Sequence, residues 1–157
     1  MITDKRAKLM LFIVSFGLFI SGVTIWPAIS ELKISLSIME SIGMNQTHLF
    51  GFITKVRDSL ILIEKKHPHI IYAYDWLAFA HIVLAILFYG AAKDPVRNRW
   101  VIECGLVMCA LIPILAGICI PLREIPLYWI LFDCAFVPGA AIPLAIALRD
   151  VAKIEKA

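Results

Sequence analysis

Four ionisable side chains lie within long apolar runs: Asp75, His81, Glu103 and Asp133. A charged group in hydrocarbon is costly, so such residues face the protein interior and take a partner. His81 and Asp133 are the pair of greatest chemical interest. A carboxylate beside an imidazole selects its tautomer and favours its charged form, which suits proton handling or the binding of a polar head. Asp75 and Trp129, with Tyr74 and Trp76, would stand above them. The simpler reading is an interhelical hydrogen bond, worth about 0.6–2 kcal/mol in a membrane.

Depth decides which of these residues can meet. At a rise of about 1.5 Å per residue, His81 lies roughly 9 Å deeper than Asp75, and Asp133 about 10 Å below the start of its own segment. Glu103 lies only about 4–5 Å from the opposite surface. It belongs instead with Lys93, Asp94, Arg97 and Arg99. Asp94-Pro95 reads as a turn, and Arg99 precedes Glu103 by one helical turn, which permits an ion pair. That set reads as a stapled cytoplasmic turn, with an anionic lipid head group on Arg97 and Arg99 as the functional alternative.

Other chemistry is poorly represented. Cys104, Cys109, Cys119 and Cys134 form no C-x-x-C pair and read as small buried hydrophobes. His67-Pro68-His69 offers two metal ligands without a third. Of the four histidines only His81 lies within a span, which argues against a haem pair, and no phosphate-binding loop or hydrolase elbow is present. The sequence therefore names no metal and no cofactor.

The elements that hold these residues follow from composition. Of 157 residues, 61% are hydrophobic and 17% charged, far from the balance of a water-soluble domain. The net charge of +3 lies beside apolar runs and forms no stripe for nucleic acid. Four runs are long enough to cross a ~30 Å hydrocarbon layer, at residues 9–26, 71–92, 100–121 and 126–148. In lipid such segments must be helical. The expected fold is an all-α membrane protein, residues 1–157 forming one transmembrane domain. Lys5, Arg6 and Lys8 precede the first run, which resembles a signal peptide, but its length and the Trp26-Pro27-Ala28 sequence predict an uncleaved anchor.

Basic residues set the orientation. Lys5, Arg6 and Lys8, then Lys93, Arg97 and Arg99, then Arg149, Lys153 and Lys156 all fall on one side of a four-span chain. The positive-inside rule makes that side cytoplasmic and puts both termini there. The extracytoplasmic segment 31–66 carries two amphipathic patterns, Leu32-Leu36-Met39 and Leu49-Ile53-Val56-Leu60, separated by Gly43. Asn45 or Thr47 is the expected N-cap of the second, and Pro68 its end. Small-residue stripes predict the packing faces: Ala78, His81, Ala85 and Ala92; Glu103, Ala110 and Gly117; Asp133, Val137, Ala140 and Leu144.

The runs Tyr74-Asp75-Trp76-Leu77-Ala78-Phe79-Ala80-His81, Lys93 to Glu103 and Ile125 to Cys134 resemble those of a family of small, uncharacterised bacterial inner-membrane proteins. The likeness covers the C-terminal half, from Tyr72 onward, and implies bacterial origin and topology but no chemistry. The architecture is also loosely similar to four-helix sterol-isomerase-like (EXPERA) proteins, with no site residue carried across. The expected function is non-enzymatic: an accessory or assembly subunit, or a binder of lipid or another small hydrophobic molecule. The alternatives are an intramembrane enzyme or quinone-type redox site using His81 and Asp133, and an oligomeric transporter or channel subunit. The expected partners are the lipid bilayer, a hydrophobic small molecule and a membrane protein or second copy.

Overall fold

The computed structural model describes residues 2–156. Six helices follow in order: α1 Ile2–Ile25, α2 Ala28–Ser41, α3 His48–Lys66, α4 Pro68–Lys93, α5 Arg99–Leu122 and α6 Trp129–Ile154. Four of them, α1, α4, α5 and α6, are long and apolar enough to cross a membrane. The chain is an all-α, multi-pass membrane protein.

These helices outrun the apolar segments that announce them. At 24 to 26 residues each they measure about 36–39 Å against a ~30 Å hydrocarbon layer. The surplus turns are polar: α1 includes Asp4, Lys5, Arg6 and Lys8, and α6 continues through Arg149, Asp150 and Lys153. Hydropathy finds the apolar stretch, whereas backbone hydrogen bonding carries the helix beyond it. At its other end α6 starts at Trp129 rather than Pro126. Residues 126–128 form a tighter turn instead, their carbonyls accepting from Trp129, Ile130 and Leu131 three residues on.

Two compact units make up the chain: Phe19–Val83, and Met1–Leu18 with Leu84–Ala157. In the second of these, the core joins Ala7, Leu11 and Val14 of α1 to Phe88 and Ala91 of α4, Ile102 and Cys109 of α5, and Leu144, Ala147 and Val151 of α6. Spacings of three, four and seven place each set on one helix face. Gly105 of α5 is tightly covered by α4 and α6: a Cβ there would stand 2.8 Å from Phe88 Cζ and 2.9 Å from Leu144 Cδ1. Ser15, itself buried, donates to the Ala85 carbonyl at 2.7 Å and ties α1 to α4.

The Phe19–Val83 unit contains the two amphipathic helices. Leu36 and Met39 are the buried residues of α2, and Ile53 and Leu60 those of α3. Thr47 is the N-cap of α3, its hydroxyl accepting from the Phe50 N–H at 3.2 Å. Helix α2 ends in a Schellman motif: Met44 N–H bonds the Met39 carbonyl at 2.8 Å and Gly43 N–H the Glu40 carbonyl at 3.1 Å. That motif needs a left-handed residue, and Gly43 supplies it at φ 77°. The same motif closes α5, where Ile125 N–H reaches the Ile120 carbonyl at 3.0 Å and Glu124 N–H the Pro121 carbonyl at 3.2 Å. There the left-handed residue is Glu124, at φ 54°.

The expected packing faces need one correction. Ala78, Ala85 and Ala92 are buried and His81 half-buried, and on α6 Leu144 is buried with Asp133, Val137 and Ala140 half-buried. On α5, however, Glu103, Ala110 and Gly117 are exposed. The buried row is Ile102, Gly105, Cys109, Ala116 and Ile120. Helix α5 carries two rows of small residues, and the one containing a charge turns outward, where Glu103 meets Arg99. The cysteines divide similarly: Cys109 is buried and Cys119 and Cys134 half-buried, but Cys104 is exposed.

Candidate functional site

The best-built polar site lies where α1 begins and α6 ends. Arg6 Nε donates to Asp150 Oδ2 at 2.6 Å, and Nη2 to Oδ1 at 2.5 Å. This is the two-pronged guanidinium–carboxylate geometry, the strongest ordinary side-chain pairing. The Asp150 side chain is fully buried while that of Arg6 is 51% exposed. The guanidinium thus replaces the water that the carboxylate has lost and keeps its own outer edge hydrated. Asp150 follows Ala147 by three residues, so the helix that buries Leu144, Ala147 and Val151 also turns this carboxylate inward.

A second fastening lies nearby in the chain's fold. Arg99 Nε donates to Glu103 Oε1 at 2.8 Å, one turn along α5, and Nη1 donates to Glu155 Oε2 at 2.6 Å, just past α6. Asp94 shapes the connection between α4 and α5, its Oδ1 accepting the Arg97 N–H at 3.1 Å and its carbonyl the Asn98 amide at 2.9 Å. Pro95 is buried beneath this turn. Through these two sets of bonds the basic stretches around residues 6, 99 and 153 share one end of their unit.

A surface groove of about 300 Å³ opens at the same end, lined by Lys8, Leu9, Phe12, Tyr89, Ala92 and Lys93. Lys93 Nζ lies 5.2 Å from the centre of the Tyr89 ring, within cation–π range. Lys8 Nζ pairs with Asp4 Oδ2 at 2.8 Å, both side chains well exposed.

The intramembrane residues singled out from sequence have quieter surroundings. His81 belongs to the Phe19–Val83 unit, half-buried, with Nδ1 2.8 Å from the Leu77 carbonyl on its own helix. In neutral imidazole that bond places the proton on Nδ1 and leaves Nε2 as an acceptor. Its backbone neighbour is Gly22: a Cβ there would stand 2.9 Å from the Ala78 carbonyl oxygen and 3.2 Å from His81 Cβ. Asp75 is half-buried one and a half turns earlier on α4. Asp133 belongs to the other unit, half-buried on α6, its carboxylate without a hydrogen-bond partner among the described residues. Tyr128, at the start of α6, has a buried hydroxyl also without a partner among them. Trp129 packs on Phe132, ring centres 5.2 Å apart.

No family model, curated protein or solved structure matches this chain. Among the described residues no three His, Cys, Asp or Glu side chains gather as metal ligands, and His67 and His69 meet only as an edge-on ring pair with centres 5.9 Å apart. Sequence reasoning counted Arg6 as a topology signal and passed over Asp150. The available clue was register, because residue 150 shares the stripe of 143 and 147.

Proposed function

We propose that the chain is a non-enzymatic component of the bacterial inner membrane, with both termini in the cytoplasm, acting as an accessory or assembly subunit that holds lipid or another hydrophobic molecule. The observation that carries this reading is the use to which charge is put. Asp150, Glu103 and Glu155 each face an arginine that joins or extends helices, so these acids act as fasteners at one end of the bundle. The same end collects the basic stretches, which supports a cytoplasmic location. Outside the spans, α2 presents a second apolar row, Ile34, Ile38 and Ile42, each more than half exposed. A row of that kind marks a surface for lipid or a protein partner. Bacterial origin rests on the resemblance of the C-terminal half.

Native mass spectrometry of protein extracted directly from membranes tests this. The reading expects masses above the 17.6 kDa protomer, from retained lipid, a partner or a second copy. A bare protomer under the mildest extraction refutes it.

The second reading, acid–base or quinone-type chemistry at Asp133 or at His81, each within its own unit, is favoured by the Asp133 carboxylate and Tyr128 hydroxyl, unpartnered among the described residues, and by the open Nε2 of His81. Alanine at His81 or Asp133 separates the two. A fall in thermal stability alone supports the structural role, whereas loss of a bound chromophore or proton uptake at unchanged stability supports the chemical one.

A further inference from the structure

We propose that the groove between α1 and α4 at the basic end is a binding site for one anionic phospholipid, with Lys8 and Lys93 on the phosphate and an acyl chain along α1. The proposal rests on the lipid-holding reading above and gives it a place and a head-group charge. Two cations line one groove whose remaining walls are Leu9, Phe12, Tyr89 and Ala92. Charge at the mouth and apolar side chains below are the two halves of a phospholipid. Ala92 keeps the floor low, while Leu9, Phe12 and Tyr89 are each about half exposed and form the sides. The apolar row continues as Leu9, Phe12 and Phe16, the two phenyl rings 6.4 Å apart. It runs away from Lys8 for about 12 Å along the helix axis, over half the length of a common acyl chain.

The cations are available. Asp4 holds Lys8 only in an exposed pair one helical turn apart, a bond weak enough to exchange for phosphate. Among the described residues Lys93 forms no ion pair and lies over the face of Tyr89, while its neighbour Asp94 turns one carboxylate oxygen to the Arg97 N–H. A flexible ammonium on a tyrosine ring is common where lipid head groups meet protein. By contrast, Arg99 already pairs with both Glu103 and Glu155.

The test uses the full chain in detergent, titrated with phosphatidylglycerol or phosphatidylcholine, with bound lipid counted by native mass spectrometry. Wild type should retain one phosphatidylglycerol at least about tenfold more tightly than phosphatidylcholine, since each near-surface lysine contributes several-fold to anionic lipid affinity. Lys8→Gln/Lys93→Gln should abolish that preference, Lys8→Arg/Lys93→Arg should keep it, and Lys153→Gln, at an exposed cation of the same end, should leave it unchanged. Glycerol phosphate at equal concentration should not compete, because it lacks the chain that Leu9 and Phe12 hold. Equal losses for Lys153→Gln and the lysine double variant overturn the site in favour of diffuse charge. Competition by glycerol phosphate overturns it in favour of a free anion. Tight but charge-indifferent lipid retention overturns this site and leaves the lipid-holding reading standing, whereas no retained lipid of either kind sinks both.

Discussion

Replacing Gly105 by alanine puts a methyl carbon 2.8 Å from Phe88 Cζ and 2.9 Å from Leu144 Cδ1, well inside ordinary van der Waals contact. Neither neighbour can retreat easily, because Phe88 is only 2% and Leu144 1% exposed. Overpacking of this kind costs about 1–3 kcal/mol. Against it stands the gain in helix propensity on leaving glycine, about 0.5–1 kcal/mol. The clash wins, by about 1 kcal/mol net. Gly117 lies on the same helix, twelve residues on, with nothing within 4 Å of its would-be Cβ. Gly117→Ala therefore keeps the propensity gain without the clash and stabilises by about 0.5–1 kcal/mol. Two identical substitutions in one helix are expected to differ in sign and by about 2 kcal/mol, some thirtyfold in the unfolding equilibrium.

Reversible unfolding in mixed micelles, followed by far-ultraviolet circular dichroism, measures both. A second substitution locates the cause: Phe88→Leu withdraws the ring, so Gly105→Ala/Phe88→Leu should lose less than the two single variants added together, by at least about 0.5 kcal/mol. If Gly105→Ala and Gly117→Ala shift stability in the same direction, or Phe88→Leu gives no relief, the close approach of α4, α5 and α6 at Gly105 is wrong.

The ion pair and the helix ends give further expectations. Arg6→Gln leaves the buried Asp150 carboxylate without its partner, whereas Asp150→Asn leaves an arginine already half in solvent, so Arg6→Gln should lower the melting temperature more. Arg6→Gln/Asp150→Asn should melt above Arg6→Gln alone; a double variant that is no more stable disproves the orphaned-charge account. At the Schellman ends, Glu124→Gly should stabilise by about 1 kcal/mol and Gly43→Ala destabilise by a similar amount, because only glycine takes a left-handed backbone without cost. Denaturant titration of the two variants checks this, and any result other than opposite signs tells against the assigned backbone.

The spans were legible because an apolar run of eighteen or more residues admits few other structures. The break at Gly43 was legible for a local reason, and local chemistry narrowed the cap to Asn45 or Thr47, between which the structure selects Thr47. The Arg6–Asp150 pair was not. Its members are 144 residues apart, and Asp150 sits between Arg149 and Lys153, where composition reads only as basic. Helix α5 misled for a different reason: its two rows of small residues are equally good packing candidates, and only the neighbours Phe88 and Leu144 decide between them. Hydropathy also stopped α1 and α6 short, since it measures preference for lipid and not continuity of the backbone.

The polar groups of the unit that contains α5 and α6 sort by position along α6, and that sorting bears on where any chemistry would reside. At the basic end the acids are engaged: Asp150 by Arg6, Glu103 and Glu155 by Arg99, Asp4 by Lys8, Asp94 by the backbone of its own turn. Of these, the buried Asp150 contributes most to stability, and the exposed pairs contribute little. What they leave over is cationic, Lys93 and Arg97 with no ion pair among the described residues, which favours an anionic partner over a reacting substrate. Asp133 lies 17 residues before Asp150, about 25 Å away along the helix, and there the order is reversed. A half-buried carboxylate and a buried hydroxyl stand there without partners among the described residues, and a ligand or a neighbouring chain gains most where it supplies such missing bonds. Substitutions near Asp150 therefore report on the fold, and on the second reading above those near Asp133 report on a bound ligand.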